Sequence, residues 1–371
     1  MSEVIDLLST IEDHRVADRI IYPLPTLLFI SICAIFCGAE SWDDIVVFAE
    51  SREEWLSNYV DLTRGIPCYS TFRRLFSTID PSVWSTLIEG TLGLVIKDRL
   101  PEDHIPIDGK TLKGSRCESK EIRAIQMVSA WSFSNKLVLA DVTTDSKSNE
   151  IKAIPLLLEL LELEGCTVSI DAMGCQTTIL ESILSKGGDF VIGFKKNQPS
   201  LYNAVVDYSK EHGEKPVNLI EDQFDDSHGR LVRRRYFAFS LPKEAESFSL
   251  PGIKTIIATE TISSEKNKPG TTAEWRYYVS SHEAGNNRLA AYVRNHWSIE
   301  SEYHWELDVH LHDDDADKKH DKIAATNFAK TKRLLLCLVK SKLPEGKKRS
   351  VRSRLKRVSW DLDYLLTLLL L

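Results

Sequence analysis

Two short stretches close a β-branched run on an acid: "HIPIDGKTLKG" ends its run at Asp108 and "TVSIDAMGCQTTI" at Asp171. A carboxylate is costly to bury without a partner. Two of them at strand ends suit a hard divalent cation such as Mg²⁺, which takes oxygen ligands and keeps several waters. Without a cation, two carboxylates ~4 Å apart at an effective dielectric of 20 repel by about 4 kcal/mol. A pair of ions activates a water or hydroxyl and stabilises the leaving oxygen, the chemistry of cutting and joining phosphodiesters. A third acid must come from elsewhere. Asn295 to Asp317, with eight acids and no Lys or Arg, is the place to look, and Glu300, Glu302, Glu306 and Asp308 compete for the role. Helical spacing puts His296, Glu300 and His304 on one face beside Trp297 and Tyr303. Such a face is also a zinc signal, although no HExxH motif is present. Solvated helix charge is the ordinary reading of any single acid here.

The surrounding charge is polarised. The chain of 371 residues carries a net charge of −7, yet Lys318 to Arg357 holds 15 Lys and Arg against two acids. An acidic centre beside a basic surface suits a phosphate-bearing partner; a solvated amphipathic C-terminal helix is the plainer alternative. Lys110, Lys113, Lys195, Lys196 and Arg294 are candidate phosphate contacts, each set against ordinary surface charge. Hydrophobic content of 43% and charged content of 27% are those of a globular soluble protein. The apolar run Leu24 to Phe36 comes too late for a signal peptide and is too short to span a bilayer, so a buried helix is expected. Seven cysteines without a CxxC pair read as reduced thiols, and the cytoplasm is the expected compartment.

Several elements position these residues. The first 97 residues read as helical, with a capping box at Ser41 and Asp44 and Asp80-Pro81 opening another helix. The short helix "GIPCYSTFRRLF" carries Arg73 and Arg74, either as a DNA-reading helix or as a basic surface. From residue 100 the pattern predicts β-β-β-α-β-α-β, a mixed α/β arrangement with a hairpin at Ser134-Asn135. Its first helix is expected to end at Gly165 with Pro155 near the first turn. Residues 200 to 282 read as an inserted β-rich subdomain, and a helix is expected to run from Arg288 through "RNHWSIESEYHWELDV".

Six stretches, "PIDGKTLKGS", "TTDSKSNEIKAIP", "SIDAMGCQ", "GFKKNQ", "SHGR" and "RNHWSIESEYHWELDV", occur in order. Together they resemble the insertion-sequence transposases of the ISAs type, which include the H-repeat-associated proteins, over nearly the whole chain. The resemblance implies an α/β fold with an RNase H-like catalytic core, a mixed sheet flanked by helices. It implies a helical N-terminal domain over 1–97, a catalytic domain over 98–340 with the β-rich insertion at about 200–282, and a basic tail over 341–371. It also implies DDE chemistry: Asp108, Asp171 and Glu300 as catalytic and metal-binding acids, with two Mg²⁺ ions, Mn²⁺ being the alternative. Partners would be double-stranded DNA, as transposon ends and target, and a second copy in a synaptic homodimer, with no membrane. The insertion would hold the DNA end through Arg230, Arg233, Arg234 and Arg235. His296 and Leu307 stand where the broader superfamily has an arginine and a lysine, which leaves the phosphate-contacting partner open. Asp321 and Lys322 replace a Gly-Asn pair of this branch. A decayed or domesticated DNA-binding copy and a metal-dependent nuclease are the rival readings.

Overall fold

The computed structural model describes residues 8–9, 11–13, 15–16, 18, 20–95, 102–116, 121, 123–144, 150–212, 215–222, 225, 230–241, 250–265, 270–314, 321–341 and 349–369. Its centre is a nine-stranded sheet of order β3-β2-β1-β4-β5-β9-β8-β7-β6. The strands are β1 (His104–Leu112), β2 (Ile125–Ser132), β3 (Leu137–Thr144), β4 (Thr167–Ile170), β5 (Asp189–Phe194), β6 (Asn218–Glu221), β7 (Arg230–Ser240), β8 (Thr255–Glu265) and β9 (Thr271–Ser280). β1, β4 and β5 run parallel, and every other neighbouring pair is antiparallel. The β-β-β-α-β-α-β order expected from residue 100 is present. The strands between 200 and 282 are also present, and they continue the same sheet through pairing of β9 with β5.

Helices cover both faces because the core strands are apolar on both. Ile105, Ile107, Val168 and Ile170 pack with Ile154, Leu157 and Leu158 of α5 (Glu150–Glu159) and with Ile179 and Ile183 of α6 (Thr177–Ser185). On the opposite side, Trp131 and Val138 meet Ile299, Tyr303 and Leu307, and Val191 and Ile257 meet α8 (Leu289–Asn295). A third group of helices forms the N-terminal bundle: α1 (Leu24–Phe36), α2 (Trp42–Ser51), α3 (Tyr69–Thr78) and α4 (Ser82–Val95). The capping box forms, with Ser41 Oγ accepting from Asp44 N–H and the Asp44 carboxylate accepting from Ser41 N–H. Arg73 and Arg74 are on the exposed face of α3, opposite buried Phe72, Leu75 and Phe76.

Four expectations are corrected. The helix expected to reach Gly165 stops at Glu159, with Pro155 in its interior. The Lys186 ammonium donates to the carbonyls of Leu158, Glu159 and Leu161 at 2.7, 2.9 and 2.8 Å, which satisfies the helix end where the dipole is negative. The stretch after β5 contains a helix not expected there, α7 (Pro199–His212), which buries Leu201 and Val205 one turn apart. The helix expected from Arg288 onward is broken into α8, a π-helical turn over Ile299–His304, and α9 (Trp305–Leu311).

The fourth correction concerns the basic segment. Much of it is core. In α10 (Lys322–Ser341), Lys330, Lys332 and Arg333 are buried, and α11 (Val351–Trp360) and α12 (Leu362–Leu369) insert Val358, Leu365 and Leu368 among the N-terminal helices. Three of its cations pair with acids packed beside them. Lys330 Nζ pairs with Asp141 at 2.5 Å, Arg333 with Asp313 at 3.1 Å and Lys340 with Glu306 at 2.6 Å. Burial alone would raise the Asp313 carboxyl, but Arg333, Lys332 and Lys110 outweigh it and hold it below its ordinary value. Removing one partner of a fully buried pair strands the other charge. Asp313→Ala is therefore expected to destabilise the fold by about 3–5 kcal/mol in urea unfolding, and Asp313→Ala with Arg333→Met to recover most of that loss.

Candidate active site

The parallel pairing of β1 and β4 sets the geometry. Pro106 is opposite Ser169 and Ile107 opposite Ile170, so the same register carried one residue further brings Asp108 alongside Asp171. Side-chain alternation sends Ile107 and Ile170 into the α5–α6 side and both acids the other way. After Ile170 the chain turns at once. The Asp171 Oδ1 accepts from Met173 N–H at 3.1 Å and caps the single 3₁₀ turn Ala172–Gly174. Gly174 is needed because a Cβ there would lie 2.5 Å from Ile170 Cγ2. The short sequence Ile-Asp-Ala-Met-Gly thus ends a strand and exposes a carboxylate in one motion.

Pairing separates the four candidates for a third acid. Glu302 is bound to Lys136 at 2.9 Å, Glu306 to Lys340 at 2.6 Å and Asp308 to Lys110 at 2.5 Å. Glu300 alone of the four makes no ion pair with a described residue. The π-turn widens the helix here, with Trp305 N–H donating to Glu300 C=O five residues back. Glu300 is exposed, while His304 is buried with its Nδ1 3.6 Å from Asp108 and His296 turns inward to Ser169. The regular His-Glu-His face expected of an α-helix does not form.

The acids feel one another although they are 63 and 129 residues apart in sequence. Burial first, and then the fields of Glu300, Asp171 and Glu150, push the Asp108 carboxyl up to about 7 against the pull of the Gly109 N–H. Burial and Asp171 raise Glu300, and Arg276 of β9 opposes them. Glu150 is a fourth acid that the sequence reading passed over. It opens α5 and its carboxyl lies where a Cβ on Gly109 would come within 2.8 Å. The stretch "SKSNE" could have signalled it. Among the described residues no three His, Cys, Asp or Glu side chains already stand in ligating geometry. The donor set nonetheless fits a hard divalent cation: oxygen ligands only, with Asp108 and Glu300 raised in proton affinity by burial and by neighbouring acids.

The basic candidates separate into two groups. Lys195 and Lys196 are exposed on the loop after β5, beside the Asp171 turn, to which Asn197 is tied by a 2.8 Å bond to Ala172 C=O. Arg294 is exposed on α8. The rest are engaged. Lys110 is a buried counter-charge for Asp308 and Asp314, which removes it as a phosphate contact. Lys113 pairs with Asp314, Arg233 with Glu221, and Arg235 with Glu260. The Arg230 side chain lies outside the described residues, and Arg234 is half-buried on β7. Arg276, missed by the sequence reading, sits 5.1 Å over the Trp297 ring and is the cation whose field reaches Glu300. A carboxyl at about 7 in the folded chain and near 4 in the unfolded one binds more protons folded between those values. Stability from Asp108 therefore falls as pH rises from about 4 to about 7 and is lost above that. In metal-free protein, Asp108→Asn should gain stability over wild type across this range in urea unfolding; a constant difference would show an ordinary carboxyl.

Residues 5–88 match the family described as DDE_Tnp_1-associated, and residues 99–337 match the one described as Transposase DDE domain. The "H repeat-associated putative transposase YhhI" of Escherichia coli (strain K12) is 32% identical over 380 residues, which cover 100% of this chain and 98% of the relative. The "Putative protein YbfL" of the same organism is 32% identical over 376 residues, again 100% and 98%. The "Putative transposase YncI" of Escherichia coli O157:H7 is 34% identical over 331 residues, 85% of this chain and 81% of the relative. Every motif that surrounds the acids falls inside the matched catalytic region, and the chain belongs to the DDE transposase family.

Proposed function

We infer that this chain is a DNA transposase that cuts and joins strands at the ends of an insertion sequence, with Asp108, Asp171 and Glu300 as its catalytic acids. The observation that carries the assignment is the shared electrostatic neighbourhood of these three carboxyls, two on adjacent parallel strands and one on the facing helix. The strand order β3-β2-β1-β4-β5 supports an RNase H-like core, with β6 to β9 as the insertion. Asp108, Asp171 and Glu300 would hold two Mg²⁺ or Mn²⁺ ions. When bound, such a pair supplies Lewis-acid polarisation of the phosphate and lowers the pKa of the attacking water or 3′-hydroxyl.

The chain's own residues then have distinct tasks. Asp108 arrives partly protonated at neutral pH and gives up that proton on loading, because ligands bind deprotonated. Asp171 presents one oxygen outward while the other caps its turn. Lys195, Lys196 and Arg294 would hold DNA phosphates around the acidic floor and carry no sequence information. Two ends must be handled together, which favours a homodimer in the synaptic complex, related by two-fold symmetry. Among the described residues no helix is long and apolar enough to cross a membrane. Six cysteines there are free thiols, in keeping with a cytoplasmic enzyme.

Asp108→Asn, Asp171→Asn and Glu300→Gln are each expected to abolish cleavage of a duplex carrying the element's end while leaving its binding within a few-fold of wild type; a variant that still cleaves removes that residue from the site. Wild type given a pre-cleaved end, target DNA and Mg²⁺ should join them, whereas cutting without joining marks a nuclease and binding alone a decayed copy. Lys195→Ala should lower the salt slope of DNA binding by about one, and Lys110→Met should leave the slope unchanged and cost stability instead.

A further inference from the structure

Beneath the acids, the three elements that carry them meet at one hydroxyl. Ser169 precedes Asp171 by two residues on β4. Its Oγ lies 2.8 Å from Nε2 of His104 and 2.9 Å from Nδ1 of His296. His104 is four residues before Asp108 on β1, and His296 is four before Glu300, at the end of α8. Each arm of the bridge therefore ends on the element that bears another acid. Even spacing along the strands keeps His104 and Asp108 on one face of β1, and Ser169 and Asp171 on the same face of β4. The assembly is braced from behind: Tyr292 lies edge-on to His104 at 5.2 Å and stacks on His282 at 5.3 Å, and His282 Nε2 is 2.9 Å from Thr167 Oγ1.

A hydroxyl donates one proton and has two lone pairs, so it can bond both rings at once. Nδ1 of His104 is buried and bonds to no described residue. A buried bare lone pair is tolerated better than a buried orphan N–H, so the His104 proton sits on Nε2. Nε2–H then donates to Ser169 Oγ, which also bonds Nδ1 of His296. Burial holds both rings neutral, with His104 pushed down to about 3 and His296 to about 4. The brace thus ties three acid-bearing elements together without placing a cation among them that would compete for their carboxylates.

We propose that Ser169 is a positioning residue that sets the spacing of Asp108, Asp171 and Glu300 for divalent-cation capture, acting through His104 and His296. The proposal rests on the reading of those three acids as the metal-binding set. Partners that hydrogen-bond metal ligands directly are worth about 10–100-fold in metal affinity or activity, and Ser169 acts one contact further back, at the low end of that range.

The test uses the full chain. Mn²⁺ binding is followed from the electron paramagnetic resonance of the free ion, and Mg²⁺ is titrated in cleavage of a duplex carrying the element's end. Ser169→Ala should weaken Mn²⁺ binding about 10-fold and raise the half-saturating Mg²⁺ by a similar factor, with end binding near wild type and a lowered Tm, because the buried His104 N–H loses its acceptor. His296→Leu should do the same, and His296→Asn, whose side-chain amide can bond Ser169 Oγ as Nδ1 did, should recover much of the loss. Wild-type Mn²⁺ affinity and Mg²⁺ dependence in Ser169→Ala would overturn the proposal, as would a His296→Asn variant no better than His296→Leu. If Ser169→Ala fails to fold, the His296 pair decides. Asp171→Asn runs in parallel: losing both readouts while Ser169→Ala keeps them refutes the bridge alone, and keeping both removes the acids' assignment and the proposal with it.

Discussion

Carboxylates brought together in a folded chain repel, and the architecture of this protein is organised around holding several of them in place. Parallel pairing of β1 with β4 brings Asp108 beside Asp171 in a register that the apolar face enforces: a slip of one residue would turn Ile107 and Ile170 out of the core. Glu300 arrives from the helix across the sheet, and burial, with the fields of Glu300, Asp171 and Glu150 added to it, raises the proton affinity of Asp108. A divalent cation would relieve their mutual repulsion.

Other described acids of the same region have cationic partners. Lys110, Lys136 and Lys340 take Asp308, Glu302 and Glu306, and Arg333 takes Asp313. This division of labour separates structure from chemistry. Acids with a lysine or arginine partner hold α9 and α10 against the sheet, and the acid left without one faces the site. In the basic segment Lys318 to Arg357, Lys330, Arg333 and Lys340 are counter-charges of this interior, while Lys322, Arg349, Arg352, Lys356 and Arg357 are exposed. Its helices also complete the N-terminal bundle, so that the two ends of the chain share one core.

The π-turn at Ile299–His304 belongs to the same logic. An α-helix would align Glu300 with His296 and His304 on one stripe. The extra residue in the turn lets both histidines face inward, toward Ser169 and Asp108, while Glu300 turns outward. An irregularity in the hydrogen-bond ladder is thus what separates a polar support from the acid it supports.

Much of the site was legible in the sequence. The strand-plus-acid signals at Asp108 and Asp171, the capping box at Ser41, the helix at Leu24–Phe36 and the succession of elements along the chain through β5 are local patterns, and local backbone preferences and apolar alternation determine them. So, too, the ordered motifs pointed to the family. Other features depended on contacts between distant residues, which no local pattern encodes. Lys186 ends α5 earlier than its apolar run suggests, Lys110 is a buried counter-charge rather than a surface cation, and β9 joins what read as a separate insertion to the core sheet. Choosing among Glu300, Glu302, Glu306 and Asp308 on physical grounds required knowing which acids already had partners. The sequence alone determined that acids would stand at strand ends; the tertiary structure decided which of them remain unpaired, because an ion pair forms between residues that folding, and not chain order, makes neighbours.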